Sequence, residues 1–493
     1  MQSKTSASIL RYLLPKLEDI LFIAILIACL LLGTRMLSID SDLGRHLALG
    51  EYILETKSIP TQDILSYTKL GESRPPYEWA SQVLVATANR IAGLDGVIFF
   101  SGLIIAITFF LIYKESVKVS QLPILSIFIL LLGLAASSVH WLPRPHLFTF
   151  LMLHIWVIQL EKIRKSGHIN VWLVGLIIMI WANLHGGFIF GFIVWFAYLA
   201  GDVWEKIFSN KQSNMVNLLR IGGISLLASV ITPDGWGNWL AVLGNNSSYI
   251  LQNTSETMSP NFHEVGMFPF LLFLGVTIII PSISNTKLPV SQVFLMAGMA
   301  MASLLVSRNI PLFIISTVPI LCGCLKSLNL EGFWLNLEKR INDLQSNLIS
   351  YWVFIAIVVF SIFMVSKYHS YQITIYEFNP SVFPVHATDW LQENPQTGNM
   401  FNEFNWGGYL EYRLFPIQKV FLDSQTDFYG ESLMREHVHV ISADLGWEDV
   451  LNKYQVEWAI INSNSPLASA MERDMNWSHL YQDEVAVVYR KSK

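Results

Sequence analysis

Charge is scarce in this sequence. Asp, Glu, Lys and Arg make up 14% of its 493 residues, while 53% are hydrophobic. A water-soluble core cannot hide that much apolar surface, so a polytopic membrane protein is the expected class. The net charge of −5 carries none of the basic excess that a nucleic-acid partner requires. Cysteine is nearly absent. Cys29, Cys322 and Cys324 all sit in apolar runs, which excludes an exported disulfide framework. Cys322 and Cys324 fall on different helix faces and make no metal pair. There is no internal repeat, and little charge in the middle of the apolar runs, both of which ion-coupled carriers need. Asp202, near an inner helix end, is too peripheral to restore a transporter reading.

What the sequence does hold is apolar runs of membrane-spanning length. A spanning helix needs about 20 apolar residues. About eleven candidates are centred near residues 28, 105, 130, 153, 177, 195, 224, 273, 298, 316 and 358. The N-terminal MQSKTSASILRYLLPK is basic, its following run is longer than a signal-peptide core, and no small-residue cleavage site follows it. It reads as an uncleaved anchor.

Lys and Arg in the short loops set the orientation. With Lys4, Arg11 and Lys16 in the cytoplasm, the chain returns there at Lys114/Lys118, Lys162/Arg164/Lys165, Lys206/Lys211, Lys287 and Lys326/Lys339/Arg340. The segment 232–265 has no Lys or Arg and falls outside. The predicted layout is a membrane domain over 1–371, with an outer loop at 39–96, and an extracytoplasmic C-terminal α/β domain over 372–493. A multi-pass protein of a bacterial inner membrane is expected.

This topology places most of the interesting polar residues on the outer side. Residues 42–55 read as a helix lying flat on the interface, with Leu43, Leu47, Gly50 and Leu54 on one face and Arg45, Glu51 and Glu55 elsewhere. A second helix starts near Pro76. Asp40 and Asp42, where the first crossing meets the outside, read either as helix caps or as a general base or metal ligand beside a lipid headgroup. Glu78, beside Trp79, carries the same two readings. In WLPRPH, Arg144 and His146 either snorkel or bind a phosphate. In NLHGG, Asn183 and His185 are functional or tie two helices together, and Gly186 and Gly187 allow a tight reversal. Arg308 suits a lipid phosphate or pyrophosphate, with snorkelling as the alternative. Asp234, His263 and Glu264 are weaker candidates.

The C-terminal segment alternates helix and strand: HATDWLQENP (helix), NMFNEFNWGGYLEYRL (strand, turn, helix), KVFLDSQTDFYG (strand, then loop), WEDVLNKY (helix), VEWAIIN and EVAVVYRK (strands). NWGG, with Trp406, and the carboxylates Asp423 and Asp427 lie at strand ends, where ligand sites gather. A lone DxxxD is a weak signal, and fold packing is the favoured reading of these residues.

The motifs D-x-D-L-x-x-H-x-x-x-G-E-x-I-L, x-E-W-x-S-Q, R-P-H-L-F, N-x-H-G-G-F, N-W-G-G-Y-L and F-x-D-x-x-x-D-x-Y-G run through nearly the whole chain. They resemble a large bacterial group of polytopic, glycosyltransferase-like membrane proteins. The layout is similar to the C-type glycosyltransferase fold of the protein O-mannosyltransferases and aminoarabinose transferases. That resemblance implies an enzyme taking a sugar from a polyprenyl-phosphate carrier in the outer leaflet. Asp40 or Asp42 would then be base or metal ligand, with a divalent cation as the implied cofactor. Arg144, His146, His185 and Arg308 would hold the carrier phosphate, and Arg45, His46, Asn183, Trp406 and Asp423 are the further expected substrate-binding residues. The acceptor could be a glycan, lipid or protein. NWGGY stands where oligosaccharyltransferase catalytic subunits carry WWDYG, but the Asp is missing, as is the adjacent Asp-Glu pair of the mannosyltransferases. A non-catalytic scaffold or lipid-handling protein of the same fold is the alternative.

Overall fold

The apolar runs become helices. The computed structural model describes residues 11–38, 41–244, 255–328, 331–371 and 374–492. All eleven predicted centres fall within helices, from Leu17–Leu31 to Trp352–Tyr371. Six helical stretches are long and apolar enough to cross a membrane: Trp79–Ser120, Pro123–His140, Gly186–Ser209, Val265–Ile283, Ser307–Leu325 and Trp352–His369. Val171–Leu184, Met215–Ser229 and Val290–Leu305 are shorter apolar helices. The chain is a polytopic helical membrane protein with a small C-terminal sheet domain.

The loops sort to two ends of the bundle. One end gathers the segments around Asp42, Glu78, Arg144, His185 and Arg308. At the other, Asn217 Nδ2 donates to Gly167 O (2.8 Å), Val290 N–H to Glu205 Oε1 (3.1 Å), and Ile124 and Leu125 N–H to the Glu338 carboxylate (3.0 and 2.8 Å). The basic loop residues lie at this second end.

The outer-loop helix differs from its sequence reading. Leu43–Thr56 does not lie on lipid: residues 43–50 and Ile53 are buried, Arg45 and His46 included. It packs between Trp79–Ser120 and the C-terminal helix Gly407–Leu414. Glycines make that possible. A Cβ on Gly44 would stand 2.1 Å from Gly408 O, one on Gly408 2.4 Å from Ser41 O, and one on Gly50 2.1 Å from Gln82 O. Backbone therefore meets backbone on both sides, and Gly408 of NWGG serves this contact, while Gly407 meets the backbone of Leu422 and Asp423. Arg45, which looked solvent-facing, is matched by Asp423 hundreds of positions away, which a local periodicity cannot register. Nor does Asp42 cap the helix it precedes.

The C-terminal domain holds four strands, β1 (Asn399–Asn402), β2 (Val456–Asn462), β3 (Trp477–Gln482) and β4 (Ala486–Lys491), in the order β1-β2-β4-β3. The β1–β2 pair is parallel and the others antiparallel. Alternation along the strands divides the core. Met400, Trp458, Ile460 and Val488 join the main core shared with the crossings, while Phe401, Ala459, Ile461, Val487 and Tyr489 build a second core. The predicted strand at KVFLD reduces to a single parallel bridge between Val420 and Ser66, and a helix, Thr426–Ile441, begins within the predicted loop. The helices Gly332–Asn347 and Pro466–Arg473, and β3, escaped the sequence reading.

Candidate active site

Asp42, Arg45, His46, Glu78, Arg144, His146, His185 and Arg308 line one cavity of about 420 Å³. They come from five separate stretches of chain. Of the other candidates, Asp40 lies outside the described residues, and Asn183, Trp406 and Asp423 stand apart from the cavity. Tyr77, His140, Glu256, Ser424 and Gln425 also line it and were missed as site residues; Asp427, named in the sequence beside Asp423, lines it as well. His140 stands one position before WLPRPH, and Ser424 to Asp427 fall inside the KVFLDSQTDFYG motif, so the signals lay beside the residues chosen.

Asp42 is held on several sides. Its Oδ2 lies 2.7 Å from Arg144 Nη1, its Oδ1 lies 3.8 Å from Arg45 Nη2, and the Ser424 hydroxyl donates to it. Burial alone would raise its pKa, but Arg144 and Arg45, with the Ser424 hydrogen bond, outweigh that and hold it well below the usual carboxylate range. An ionised, doubly paired carboxylate is a poor proton acceptor at neutral pH. Its evident action is to orient Arg144, which also lies 3.0 Å from Glu256 Oε1.

Glu78 is different. It precedes the helix Trp79–Ser120, yet its side chain makes no cap. Oε2 lies 3.8 Å from His46 Nδ1 and Oε1 lies 3.6 Å from His185 Nε2. Burial pushes its pKa up to about 7; Asp42 and Asp427 push the same way and Arg45 and Arg144 oppose them. Burial first, and then Arg45, keep His46 neutral. Glu78 is thus a carboxyl poised near neutrality between imidazoles.

Local hydrogen bonds set the imidazole orientations. Gly187 N–H donates to His185 Nδ1 (2.9 Å), so the neutral ring carries its proton on Nε2, facing Glu78. The Thr149 hydroxyl lies 2.8 Å from the same Nδ1 and accepts from Trp181 Nε1–H (2.9 Å). A Cβ on Gly187 would stand 2.4 Å from Thr149 Oγ1 and 2.6 Å from His185 Nδ1, which explains the second glycine of NLHGG. His146 Nε2–H donates to His140 O (2.9 Å), and the two rings lie 4.4 Å apart. Arg308 is exposed to the cavity and, among the described residues, has no hydrogen-bond or ion-pair partner.

The remaining candidates serve structure. Asn183 accepts from Trp79 Nε1–H (2.8 Å) and donates to Met179 O and Ile231 O (both 2.8 Å), bolting three segments together. Asn183→Ala is expected to cost about 1–3 kcal/mol, because the Trp79 and Ile231 groups lose their partner; a lowered melting temperature in detergent is the readout. Trp406 is buried and donates its indole N–H to Val382 O (2.9 Å). Asp423, fully buried, accepts from Gln425 N–H (2.6 Å), Arg74 Nη2 (3.1 Å), the Tyr429 hydroxyl (3.1 Å) and Arg45 Nη1 (3.3 Å). Gln425 Oε1 accepts from both arginines (2.6–3.2 Å), and Arg74 also pairs with Asp63 and stacks over Phe428 at 4.7 Å. This latch fastens the C-terminal domain to the outer loop and brings Ser424 to Asp427 into the cavity wall. Among the described residues no group of three or more His, Cys, Asp or Glu is arranged to hold a metal.

One wall of the cavity thus offers guanidinium groups to an anion, and another offers a carboxyl able to take a proton. No protein-family model and no curated protein matches the chain. Solved structures do. The apo crystal structure of the oligosaccharyltransferase from Archaeoglobus fulgidus is 12% identical, covers 96% of this chain and 74% of its own, and superposes with a TM-score of 0.57. The oligosaccharyltransferase AglB from the same archaeon, in complex with an inhibitory peptide and a dolichol-phosphate, gives 11%, 96%, 74% and 0.53. ArnT from Cupriavidus metallidurans, bound to undecaprenyl phosphate, gives 11%, 95%, 97% and 0.51. This chain shares the fold of these oligosaccharyltransferase and ArnT structures.

Proposed function

We propose that the protein is a membrane glycosyltransferase that moves a sugar from a polyprenyl-phosphate carrier to an acceptor at the outer face of a bacterial cytoplasmic membrane. The observation that carries this reading is a single cavity holding a guanidinium, Arg308, that has no partner among the described residues, and a carboxyl poised near neutrality, Glu78. Two of the structures sharing the fold hold a dolichol-phosphate or undecaprenyl phosphate. The basic loops at the opposite end of the bundle support a cytoplasmic N-terminus and an outward-facing cavity. Reporter fusions at residues 60 and 430 are expected to report the outside.

In this reading the acceptor hydroxyl oxygen attacks the anomeric carbon of the sugar. The bond from that carbon to the carrier phosphate breaks, and the phosphate leaves with the electron pair. Arg144 and Arg308 hold the developing charge. Glu78 takes the acceptor proton, held in line by His185 and His46. Asp42 and Glu256 keep Arg144 extended into the cavity.

Arg308→Gln is expected to raise the KM for the donor by roughly ten- to a hundred-fold, the loss of one charge-assisted contact, with an unchanged melting temperature. The proposed function itself is tested by mass spectrometry of envelope glycans and lipids from cells with and without the chain. The expected difference is one sugar residue on one glycan, lipid or protein. Identical profiles would favour a scaffold built on the same fold.

A further inference from the structure

The helix Gly332–Asn347 lies at the end of the bundle away from the cavity, and the proposed reaction does not use it. Its inward side is fixed. Glu338, buried, accepts the N–H groups of Ile124 and Leu125 (3.0 and 2.8 Å) in the first turn of Pro123–Ser137. Gln345 Oε1 accepts the N–H of Leu17 (2.8 Å), the first residue of Leu17–Leu31. A helix start leaves such donors orphaned, so these bonds pin Gly332–Asn347 across the ends of two crossings.

Its other side is open. Phe333 and Leu344 are 71% and 48% exposed, and Trp334, on the shoulder toward Glu338, is 52% exposed. By helical spacing Phe333, Leu337, Arg340 and Leu344 share one stripe opposite Glu338, while Asp343 falls on the flank. The helix is too short and too polar to span a membrane. The apolar belt continues beyond it: Ile349 N–H bonds Arg11 O (3.2 Å), and the adjoining Tyr12, Leu13 and Leu14 are exposed too. Lys326, just before the helix, and Arg340, within the stripe, are exposed cations beside this belt.

We infer that Gly332–Asn347 is an interfacial strap whose open face rests in an anionic lipid surface. Phe333 and Leu344 enter the acyl boundary, Trp334 flanks them, and Arg340 and Lys326 reach headgroup phosphates. Lipid fits this face because the stripe runs on into the exposed apolar segment 12–14 and the cations lie within and beside it. The two crossings it caps lead, at their far ends, to Asp42 and Arg144, so the strap steadies the helices that carry the ion pair of the cavity.

The test uses the full chain in nanodiscs of phosphatidylcholine with and without phosphatidylglycerol. A nitroxide label is attached after Phe333→Cys, Leu344→Cys or Asp343→Cys; the native cysteines are buried and do not compete. Labels at 333 and 344 should collide more with oxygen than with a water-soluble nickel chelate, and the label at 343 less. Omitting phosphatidylglycerol, or adding Arg340→Gln, should shift the inserted population toward water by roughly fivefold per charge. If all three labels are equally open to nickel, the face belongs to solvent or to a soluble partner and the inference fails. If depth ignores lipid charge, the anionic assignment fails. Unchanged melting temperatures certify folded variants.

Discussion

Glu78→Gln is expected to lower sugar transfer by roughly 10²–10⁴-fold, the usual worth of a positioned general base, while polyprenyl-phosphate binding stays near the wild-type level. The substitution keeps shape and hydrogen-bonding capacity and removes only the ability to take a proton. It should not harm the fold. Burial raises the Glu78 pKa above its ordinary value to about 7, so the folded protein favours the protonated form, and ionisation costs stability as pH rises through 7. A neutral amide avoids that cost, and the melting temperature should hold or rise. The same shift fixes the pH profile. Only the carboxylate accepts a proton, so activity should climb with pH and level off above about 7, whereas residual activity of the Gln variant should lack that step. A variant with full activity, or a wild-type profile that falls through the same window, would remove Glu78 from the proposed role.

Asp423→Ala is expected to be the most damaging single change to stability, at about 3–5 kcal/mol, because it leaves the buried Arg45 and Arg74 facing each other without their shared anion. The C-terminal domain should then loosen from the outer loop, giving faster proteolysis between the last crossing and residue 400 and a lower melting temperature. Glu411 sharpens this prediction. It is buried near Asp423, and burial, followed by the Asp423 charge, raises its pKa well above the ordinary value, so it is neutral in the intact protein. Once Asp423 is gone, Arg74 and Arg45 draw Glu411 toward ionisation, and it partly replaces the lost anion. Glu411→Gln combined with Asp423→Ala should therefore destabilise more than the sum of the single changes. Strict additivity would mean that Glu411 takes no part in the latch.

The crossings were legible because membrane solvation forces each apolar run into a helix whatever its neighbours do. The sorting of polar loops to one end was legible for the same reason, and it brought Asp42, Glu78, Arg144, His185 and Arg308 into one list before their convergence was visible. What a single sequence hides is pairing across distance. Arg45 looked like a solvent-facing residue of a surface helix because its partner, Asp423, is 378 positions away. Asn183 and His185 share one motif, yet one faces helices and the other the cavity, a difference set by the non-helical backbone at His185. Asp427 was noticed as half of a weak carboxylate pair; its place in the cavity wall depends on the latch that turns the start of Thr426–Ile441 inward. The NWGG glycines signalled a special backbone, and the close approaches they allow are within the same chain, Gly408 to the start of Leu43–Thr56 and Gly407 to Leu422 and Asp423.

The most direct test of the central claim, that this cavity receives a lipid-linked phosphate, is native mass spectrometry of the purified chain with undecaprenyl phosphate. The wild type should retain one lipid per chain, and Arg144→Gln together with Arg308→Gln should lose it while Glu78→Gln keeps it. A wild type that holds no such lipid, or an arginine double variant that holds it as tightly, would contradict the account.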